Sequence, residues 1–290
     1  MGILTLMLKN KIIVGSVLFV ASTPIYAQLD LYGEAIQGAM LVGKTYPNAM
    51  VKFDGITQKA NAKGDFVIGL HRDTSSVTNI KIVRDGQTEL YTIDIKSRKY
   101  EVQRINGLEK KKVNPPKTLL NRLKMEREAI KKARNISSFY THYTQPWIHP
   151  TTGVITGVYG SQRVLNGKPK FPHYGLDYAT VQGTKVVAPQ SGVISLVQQD
   201  NFYSGKTVII DHGMGVNTAY LHLSEISIKM GQKIKQGQII GLVGTTGRST
   251  GPHLDWRLNW GGVRLDPALL KGIDLGTNAK GKVVKRDKPL

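Results

Sequence analysis

The sequence predicts a mainly β protein of two domains, joined by a linker with one amphipathic helix. Short runs of alternating or continuous apolar residues recur along most of the chain, and turns rich in glycine and aspartate separate them. One stretch, 117–136, instead places its apolar residues at helical spacing. A length of 290 residues suits two domains of about 150 residues each.

Residues 1–27 have the pattern of a secretory signal peptide. Lys9 and Lys11 precede an apolar run at 12–21, and Ala27 supplies the small residue that signal cleavage requires. An uncleaved anchor is the alternative, although the run is short for a bilayer crossing. We therefore expect an exported protein of the periplasm or cell envelope, with no transmembrane segment after signal removal. The chain has no cysteine, which excludes a lipid anchor on cysteine and disulfide bonds.

Residues 28–108 are predicted to form a β-sandwich of immunoglobulin-like type, as an accessory domain. Four runs in it are apolar or alternating, and turn residues punctuate them: 49–53, 66–70, 80–83 and 90–95. Strands of this length and spacing are typical of small sandwiches. No cluster of catalytic residue types lies here, and His71 is interpreted as a loop residue.

Residues 109–150 are interpreted as a linker. Pro115 and Pro116 break the chain, and the segment after them has apolar residues at near-helical spacing. These residues are Leu119, Leu120, Leu123, Ile130 and Ala133. We expect this amphipathic helix to pack on one of the domains, with a partner protein as the alternative. His142 and His149 follow the helix and are interpreted as structural.

Residues 151–276 are predicted to form the second domain, from short strands with glycine turns. The runs 207–210, 216–223 and 239–243 are its clearest strand candidates. Residues 277–290 are basic and poor in apolar side chains, so we expect a disordered tail.

Basic residues give the chain a net charge of +20 and concentrate in two parts of it. Residues 104–134 hold eleven Lys or Arg against three Glu, and residues 271–290 hold six against two Asp. A basic surface attracts anionic partners such as cell-wall polymers, lipid headgroups or nucleic acid. A solvated helix face explains the first cluster equally well. No nucleic-acid-binding signature accompanies the charge, so nucleic acid is not an expected partner.

Three short motifs in the second domain gather histidine and aspartate in predicted strands. They are His173-Tyr174-Gly175-Leu176-Asp177, Tyr220-Leu221-His222-Leu223-Ser224 and Gly251-Pro252-His253-Leu254-Asp255. Alternate residues of a strand share a face, so His173 should point the same way as Asp177. The same rule pairs His253 with Asp255, and the two leucines beside His222 should face the core. Imidazoles and carboxylates gathered in one cleft are what a catalytic zinc site needs.

From Gly157 to Pro267 the chain resembles the lysostaphin-type zinc metallopeptidases, the LytM-like peptidoglycan endopeptidases. Further motifs in the family's order support the resemblance. They are Gly160-Ser161-Gln162-Arg163, Val187-Ala188-Pro189 and Gly244-Thr245-Thr246-Gly247-Arg248-Ser249-Thr250-Gly251-Pro252-His253. The resemblance implies that the second domain is a LytM-like antiparallel β-sheet. One position departs from the pattern, because the family ends in His-x-His and this chain has Asp255 at the second position.

The resemblance also implies a role for each side chain of the motifs. His173 and Asp177 would be metal ligands, and Asp255 would take the place of the third. His222 and His253 would be the catalytic histidines. The implied cofactor is Zn²⁺, and a shell of one histidine and two carboxylates also makes Mn²⁺ or another divalent cation an alternative.

Side chains close to the motifs in sequence are candidates for the substrate groove. They are Arg163, Asn166 and Arg248 as substrate-binding residues, and Tyr159 as a lining residue. His212 is interpreted as a strand-end residue and Asp266 as a turn cap, so neither is expected to be a ligand.

The resulting hypothesis is a metal-dependent endopeptidase that hydrolyses peptide cross-links of bacterial peptidoglycan through a metal-activated water. His253 would be the general base, and His222 would contact the developing oxyanion or orient the water. The cross-link could join D-alanine to diaminopimelate or contain a glycine bridge. The alternative is a catalytically weak or inactive LytM-like domain that binds the wall and activates a cell-wall amidase. Peptidoglycan is the expected partner, with other envelope proteins as further candidates.

Overall fold

The computed structural model describes residues 29–270 and the two-residue strand Lys282–Val283. The signal peptide expected at 1–27 lies outside the described residues, as does the tail expected at 277–290 apart from that strand. Strands dominate the described part of the chain, so the mainly β prediction is confirmed. None of its helices has the length and apolar character that a bilayer crossing requires.

Eight strands and two α-helices make up the first half of the described chain. The strands are β1 (Asp30–Tyr32), β2 (Met40–Lys44), β3 (Met50–Phe53), β4 (Ile56–Lys59), β5 (Asp65–Gly69), β6 (Val77–Arg84), β7 (Gln87–Asp94) and β8 (Val102–Ile105). The helices are α1 (Lys110–Val113) and α2 (Leu120–Arg134), with 3-10 turns at Lys117–Leu119 and His142–Thr144.

The second half is built from short strands with a single 3-10 turn, Pro267–Leu270. Its strands are β9 (Val154–Gly157), β10 (Gln162–Leu165), β11 (Lys168–Pro169), β12 (Leu176–Ala179), β13 (Lys185–Val187), β14 (Gly192–Asn201), β15 (Gly205–Gly213), β16 (Val216–Leu223), β17 (Glu225–Ile226), β18 (Lys233–Ile234), β19 (Ile239–Leu242), β20 (His253–Trp260), β21 (Val263–Leu265) and β22 (Lys282–Val283).

The amino-terminal part consists of two antiparallel sheets. One has the strand order β22-β1-β2-β5 and the other β4-β3-β6-β7. Alternate residues of β3 and β6, such as Val51, Ile80 and Ile82, are buried, and Phe66 of β5 joins them in one hydrophobic core. The immunoglobulin-like type of this arrangement stays a prediction.

An eight-stranded sheet forms the centre of the carboxy-terminal part, with the order β18-β14-β15-β16-β20-β12-β9 and β21 added beside β20. The strands pair antiparallel, in agreement with the predicted sheet type. One face of this sheet contributes Leu254, Trp256 and Leu258 to the hydrophobic core that also contains the amino-terminal sheets. The opposite face is therefore the one left for other contacts.

Helix α2 covers part of that opposite face. Ala133 packs in a small cluster with Ile209 of β15 and Leu221 of β16. The basic residues of its last turn suit the partial negative charge of a helix carboxyl end. Strand β8, which precedes the helix, pairs in parallel with β10, so the linker is attached to the second half at both of its ends.

His212 lies at the end of β15 and is completely buried. Its Nδ1 lies 2.7 Å from the carbonyl oxygen of Ser191 and its Nε2 2.8 Å from Oγ1 of Thr218. A carbonyl only accepts, so Nδ1 carries the proton and donates it to Ser191. Burial lowers the pKa of His212 to about 4.

We expect this depressed pKa to make the protein less stable in mild acid. The unfolded chain takes up a proton at His212 below about pH 6.5, whereas the folded chain does not until about pH 4. His212 should therefore lower the free energy of unfolding by about 2 kcal/mol between pH 7.5 and pH 5. Denaturant unfolding at both pH values measures the difference, which should shrink by about that amount in His212→Gln. If the free energy of unfolding of His212→Gln differs between the two pH values as much as that of wild type, His212 is not the cause of the loss of stability.

Candidate metal centre and catalytic cleft

Two aspartates lie directly opposite each other on neighbouring strands. The register of β12 and β20 pairs Asp177 with Asp255, and it pairs Leu176 with Trp256. Since successive residues of a strand face opposite sides, the apolar pair enters the core and the two carboxylates share the other face. Both aspartates are buried.

His173 completes a compact cluster from the segment just before β12. One potential ligand atom from each of His173, Asp177 and Asp255 lies within 4.8 Å of the others, and all three residues are buried. The glycine between the first two has a packing role, because a Cβ on Gly175 would collide with the carboxylate of Asp255. A Cβ on Gly157 of β9 would likewise collide with the carboxylate of Asp177.

Unpartnered polar atoms in this cluster fit a bound cation. Both ring nitrogens of His173 and Oδ1 of Asp177 are buried without a hydrogen bond. His173 Nε2 lies 3.1 Å from that oxygen, but the two do not form a hydrogen bond. Leaving such atoms unsatisfied costs about 1–3 kcal/mol each. One imidazole and two carboxylates are a suitable donor set for Zn²⁺ or Mn²⁺.

Each carboxylate also has a guanidinium partner. Arg163 of β10 donates from Nη2 to Oδ2 of Asp177 over 2.9 Å. Arg257 donates to both oxygens of Asp255, from Nε over 2.9 Å and from Nη2 over 2.6 Å. Arg257 was not predicted as a site residue. It lies two residues after Asp255 on the same strand, and this spacing places both side chains on one face.

These partners keep both carboxylates ionised. Burial and the neighbouring Asp255 raise the pKa of Asp177, but His173 and Arg163 outweigh them and the pKa lies below its usual value. Burial also raises the pKa of Asp255, and Arg257 more than offsets it, so the pKa lies well below its usual range. Two ionised, buried carboxylates therefore face one imidazole.

His222 and His253 lie next to each other beside the two carboxylates. Their ring centroids are 4.7 Å apart, with the ring planes tilted by 44°. His222 Nδ1 is 2.7 Å from the carbonyl oxygen of Thr246, and His253 Nδ1 is 2.9 Å from that of Gly251. Because carbonyls only accept, both Nδ1 atoms carry protons and both Nε2 atoms are acceptors when the rings are neutral.

Burial and the nearby His253 lower the pKa of His222 to about 4, so His222 is neutral at pH 7. Its backbone has a φ of 63°, which interrupts the alternation of β16. The expectation that both flanking leucines face the core is therefore wrong in part. Leu223 joins the main core, whereas Leu221 joins the small cluster beneath α2.

A cavity of about 780 Å³ opens over this face of the sheet. His222 and Asp255 line it, and so do Arg163 and Arg248, whose role in substrate binding stays a prediction. Arg248 donates to the carbonyl of Lys112 over 3.2 Å, so it is anchored to the linker. Helix α2 forms a wall that the sequence analysis did not foresee.

Asn166 does not reach this cavity. It occupies the turn between β10 and β11 with a φ of 46°. Its side chain accepts a hydrogen bond from the backbone amide of Leu108 and donates one to the carbonyl of the same residue. Tyr159 is buried and donates its hydroxyl to the carbonyl of Arg264 rather than facing the cleft. Asp266 caps a turn, because it accepts the amide of Ala268, as predicted.

The other histidines lie outside the cluster. His71 accepts the amide of Asp73, and His142 stacks on Tyr140. His149 lies 2.7 Å from the hydroxyl of Tyr178. Within the described residues, His173, Asp177 and Asp255 are the one group of three side chains placed to hold a metal ion.

Comparison with known proteins places this arrangement in a family. The sequence pattern of Peptidase family M23 matches residues 171–267. The chain is 48% identical over 87 residues to the peptidoglycan DD-endopeptidase ShyA of Vibrio cholerae, covering 30% of this chain and 20% of that protein. It is 45% identical over 95 residues to the DD-carboxypeptidase/endopeptidase Mpg of Neisseria meningitidis, covering 33% of this chain and 22% of that protein.

A solved structure extends the likeness over most of the fold. A protein described as a peptidase M23 from Pseudomonas aeruginosa superposes with a TM-score of 0.66 at 25% identity, covering 83% of this chain and 97% of that one. The matches to the two curated relatives span only about a fifth of their length. Residues 171–267 nevertheless contain both aspartates and all three histidines of the site, and they form a domain of peptidase family M23, of the LytM and lysostaphin type.

Proposed function

We propose that this domain is a metal-dependent endopeptidase that hydrolyses peptide cross-links of bacterial peptidoglycan. The observation that carries the proposal is the buried group of His173, Asp177 and Asp255, with its unpartnered ligand atoms, beside two histidines that present free Nε2 atoms. Relatives named peptidoglycan DD-endopeptidases support the substrate. They favour a cross-link between D-alanine and diaminopimelate over a glycine bridge.

The ligands of the cation would be His173, Asp177 and Asp255. A divalent cation bound there, Zn²⁺ first and Mn²⁺ as the alternative, supplies Lewis-acid polarisation of the scissile carbonyl and activation of water. His253 accepts the proton of the attacking water at Nε2 and returns it to the leaving amine. Neutral His222 offers an acceptor at Nε2, which favours orienting the water over donating to the oxyanion.

Arg257 explains how aspartate can stand at the third ligand position. Replacing a neutral histidine by Asp255 adds one negative charge to the ligand shell, and Arg257 brings one positive charge against both carboxylate oxygens. The shell with Arg257 included therefore has the same net charge as one of two histidines and one aspartate. Each carboxylate oxygen keeps a further lone pair for a cation.

The second candidate is a wall-binding domain without catalytic activity that activates an amidase. The bidentate engagement of Asp255 by Arg257 favours it, because the guanidinium occupies part of the ligand's coordination capacity. Hydrolysis is the better supported function, since His173 clusters with Asp177 and Asp255 and since His222 lies beside His253. Export to the periplasm or cell envelope, inferred from residues 1–27, belongs to the same proposal.

The proposed base can be tested by removing its imidazole. His253→Ala should lower the rate of cross-link hydrolysis at least about 100-fold, because general-base catalysis contributes roughly 10²–10⁴. Mass spectrometry of fragments released from cross-linked muropeptides measures the rate. His71→Ala is the matched control, a histidine outside the cluster, and should keep wild-type activity. Undiminished turnover by His253→Ala would exclude His253 as the base.

The charge balance can be tested by the stability of metal-free protein. Arg257→Ala leaves Asp255 buried without its counter-charge and should lower the free energy of unfolding by about 3–5 kcal/mol. Lys111→Ala breaks an exposed pair with Glu109 and should leave the free energy of unfolding nearly unchanged, because water screens that pair. Denaturant unfolding in the presence of a chelator compares the two. Equal stability of Arg257→Ala and wild type would contradict the pairing.

A further inference from the structure

Helix α2 is a fixed wall of the cleft rather than a passing linker. Glu126 accepts the backbone amide of Phe202 at 3.0 Å from each carboxylate oxygen, and Arg122 bonds both Glu126 and Asp200. Together with the packing of Ala133 against the sheet, these bonds hold the helix beside β14 and β15. The helix lies outside residues 171–267, the region that matches the family.

The cavity between α2 and the sheet is strongly basic. Seven basic side chains line it: Arg127, Lys131, Arg134, Arg163, Arg248, Arg257 and Arg264. Two acidic side chains line it, Glu126 and Asp255, and each already has an arginine partner. The cavity thus has a large excess of positive charge.

The arginines of the cavity that lie on the sheet side already form ion pairs or hydrogen bonds with other side chains of the protein. Arg163 pairs with Asp177, and Arg257 pairs with Asp255. Arg264 donates to the side-chain oxygen of Asn259 over 2.8 Å. These side chains therefore have part of their hydrogen-bonding capacity satisfied before any ligand enters.

The cations of α2 differ in this respect. Arg127, Lys131 and Arg134 follow one another at helical spacing on the face that lines the cavity, and none forms an ion pair within the described residues. Arg134 is only 8% exposed, and its Nε is buried without a hydrogen-bond partner. A buried N–H without an acceptor is costly, and an anionic group beside it removes that cost.

We infer that the α2 face of Arg127, Lys131 and Arg134 binds the carboxylates of an acidic peptide whose scissile bond lies over the metal cluster. The inference rests on the proposed function and names its substrate class. Because His222 and Asp255 line the same cavity, the anion and the reacting bond share one cleft. A volume of about 780 Å³ is in the range of sites that hold ligands of several residues.

The three basic side chains of α2 differ in exposure and therefore in the role that each can have. Arg127 and Lys131 are exposed at the rim, where they attract an anion from solution, whereas Arg134 lies deeper. A planar guanidinium can bind a carboxylate through two parallel hydrogen bonds, which fixes its orientation. Peptides cross-linked through diaminopimelate have free carboxylates next to the cleaved bond and so match this arrangement.

The test uses two synthetic cross-linked peptides that differ only in having carboxylates or carboxamides beside the D-alanine–diaminopimelate bond. The full-length protein should cleave the carboxylate form with a kcat/KM at least about tenfold higher, mainly through KM. The double variant Arg127→Gln/Lys131→Gln should lose this preference, so that its kcat/KM is the same for the two peptides. Both positions are exposed, so the fold is retained, whereas a change at buried Arg134 risks unfolding.

Lys132→Gln is the matched control, an exposed lysine of the same helix that does not line the cavity, and it should keep the preference. Equal cleavage of the two peptides by wild type would overturn the inference and leave the proposed function standing. Loss of the preference in Lys132→Gln as well would also overturn it, since general surface charge would then suffice.

A binding measurement separates this inference from the proposed hydrolysis. Calorimetry on His253→Ala compares the dissociation constants of the two peptides without cleavage. Tighter binding of the carboxylate form, lost in the α2 double variant, supports the inference even if wild type cleaves neither peptide and the proposed function fails. Equal dissociation constants would overturn the inference whatever the activity.

Discussion

Two buried carboxylates set face to face by one strand register are the constraint on which this site depends. The pairing of Asp177 with Asp255 across β12 and β20 places like charges on one face of a rigid sheet. Such a pair is stable only when cations or hydrogen bonds surround it. Arg163 and Arg257 provide two of these partners, and His173 lies 3.1 Å from the carboxylate of Asp177.

The amino-terminal half also helps to hold the arginine that pairs with Asp177, through its last strand, β8. Strand β8 pairs in parallel with β10, which sets Gln103 opposite Arg163, and Gln103 accepts from that guanidinium over 3.3 Å. A second link joins Arg98 to Asp266 over 2.8 Å. The half of the chain without catalytic residue types thereby helps to orient an arginine in the cleft, and the linker helix closes the side of the same cleft.

Sequence patterns were informative wherever local periodicity decides the structure. The alternation in β12 and β20 correctly put Asp177 and Asp255 on one face, and the apolar spacing at 117–136 located the helix. His173 was predicted to lie in the same strand as Asp177, but it comes from the segment before β12. The same rule could not predict the left-handed backbone of His222. Leu221 lies opposite Asp255 on the cleft face, and the positive φ of His222 then interrupts the alternation, so that Leu223 packs in the main core instead.

Contacts between distant segments could not be read from spacing. The pairing of Arg163 with Asp177 depends on how β10 meets β12, and the placement of α2 over β15 depends on tertiary packing. Asn166 lies close to the motifs in sequence but is used by the turn that follows β10. The alternation of β20 could have predicted that Arg257 shares a face with Asp255. Its importance appears only when its charge is added to those of His173, Asp177 and Asp255.

Metal content of the purified protein tests the central claim most directly. Mass spectrometry should find about one zinc or manganese ion per chain in wild type and in Asp255→His, and none in Asp255→Ala, if Asp255 is the third ligand. Wild type that stays metal-free when supplied with either ion, or Asp255→Ala that retains the full amount, would contradict the account. The first outcome would leave a basic wall-binding domain as the function that the cleft supports.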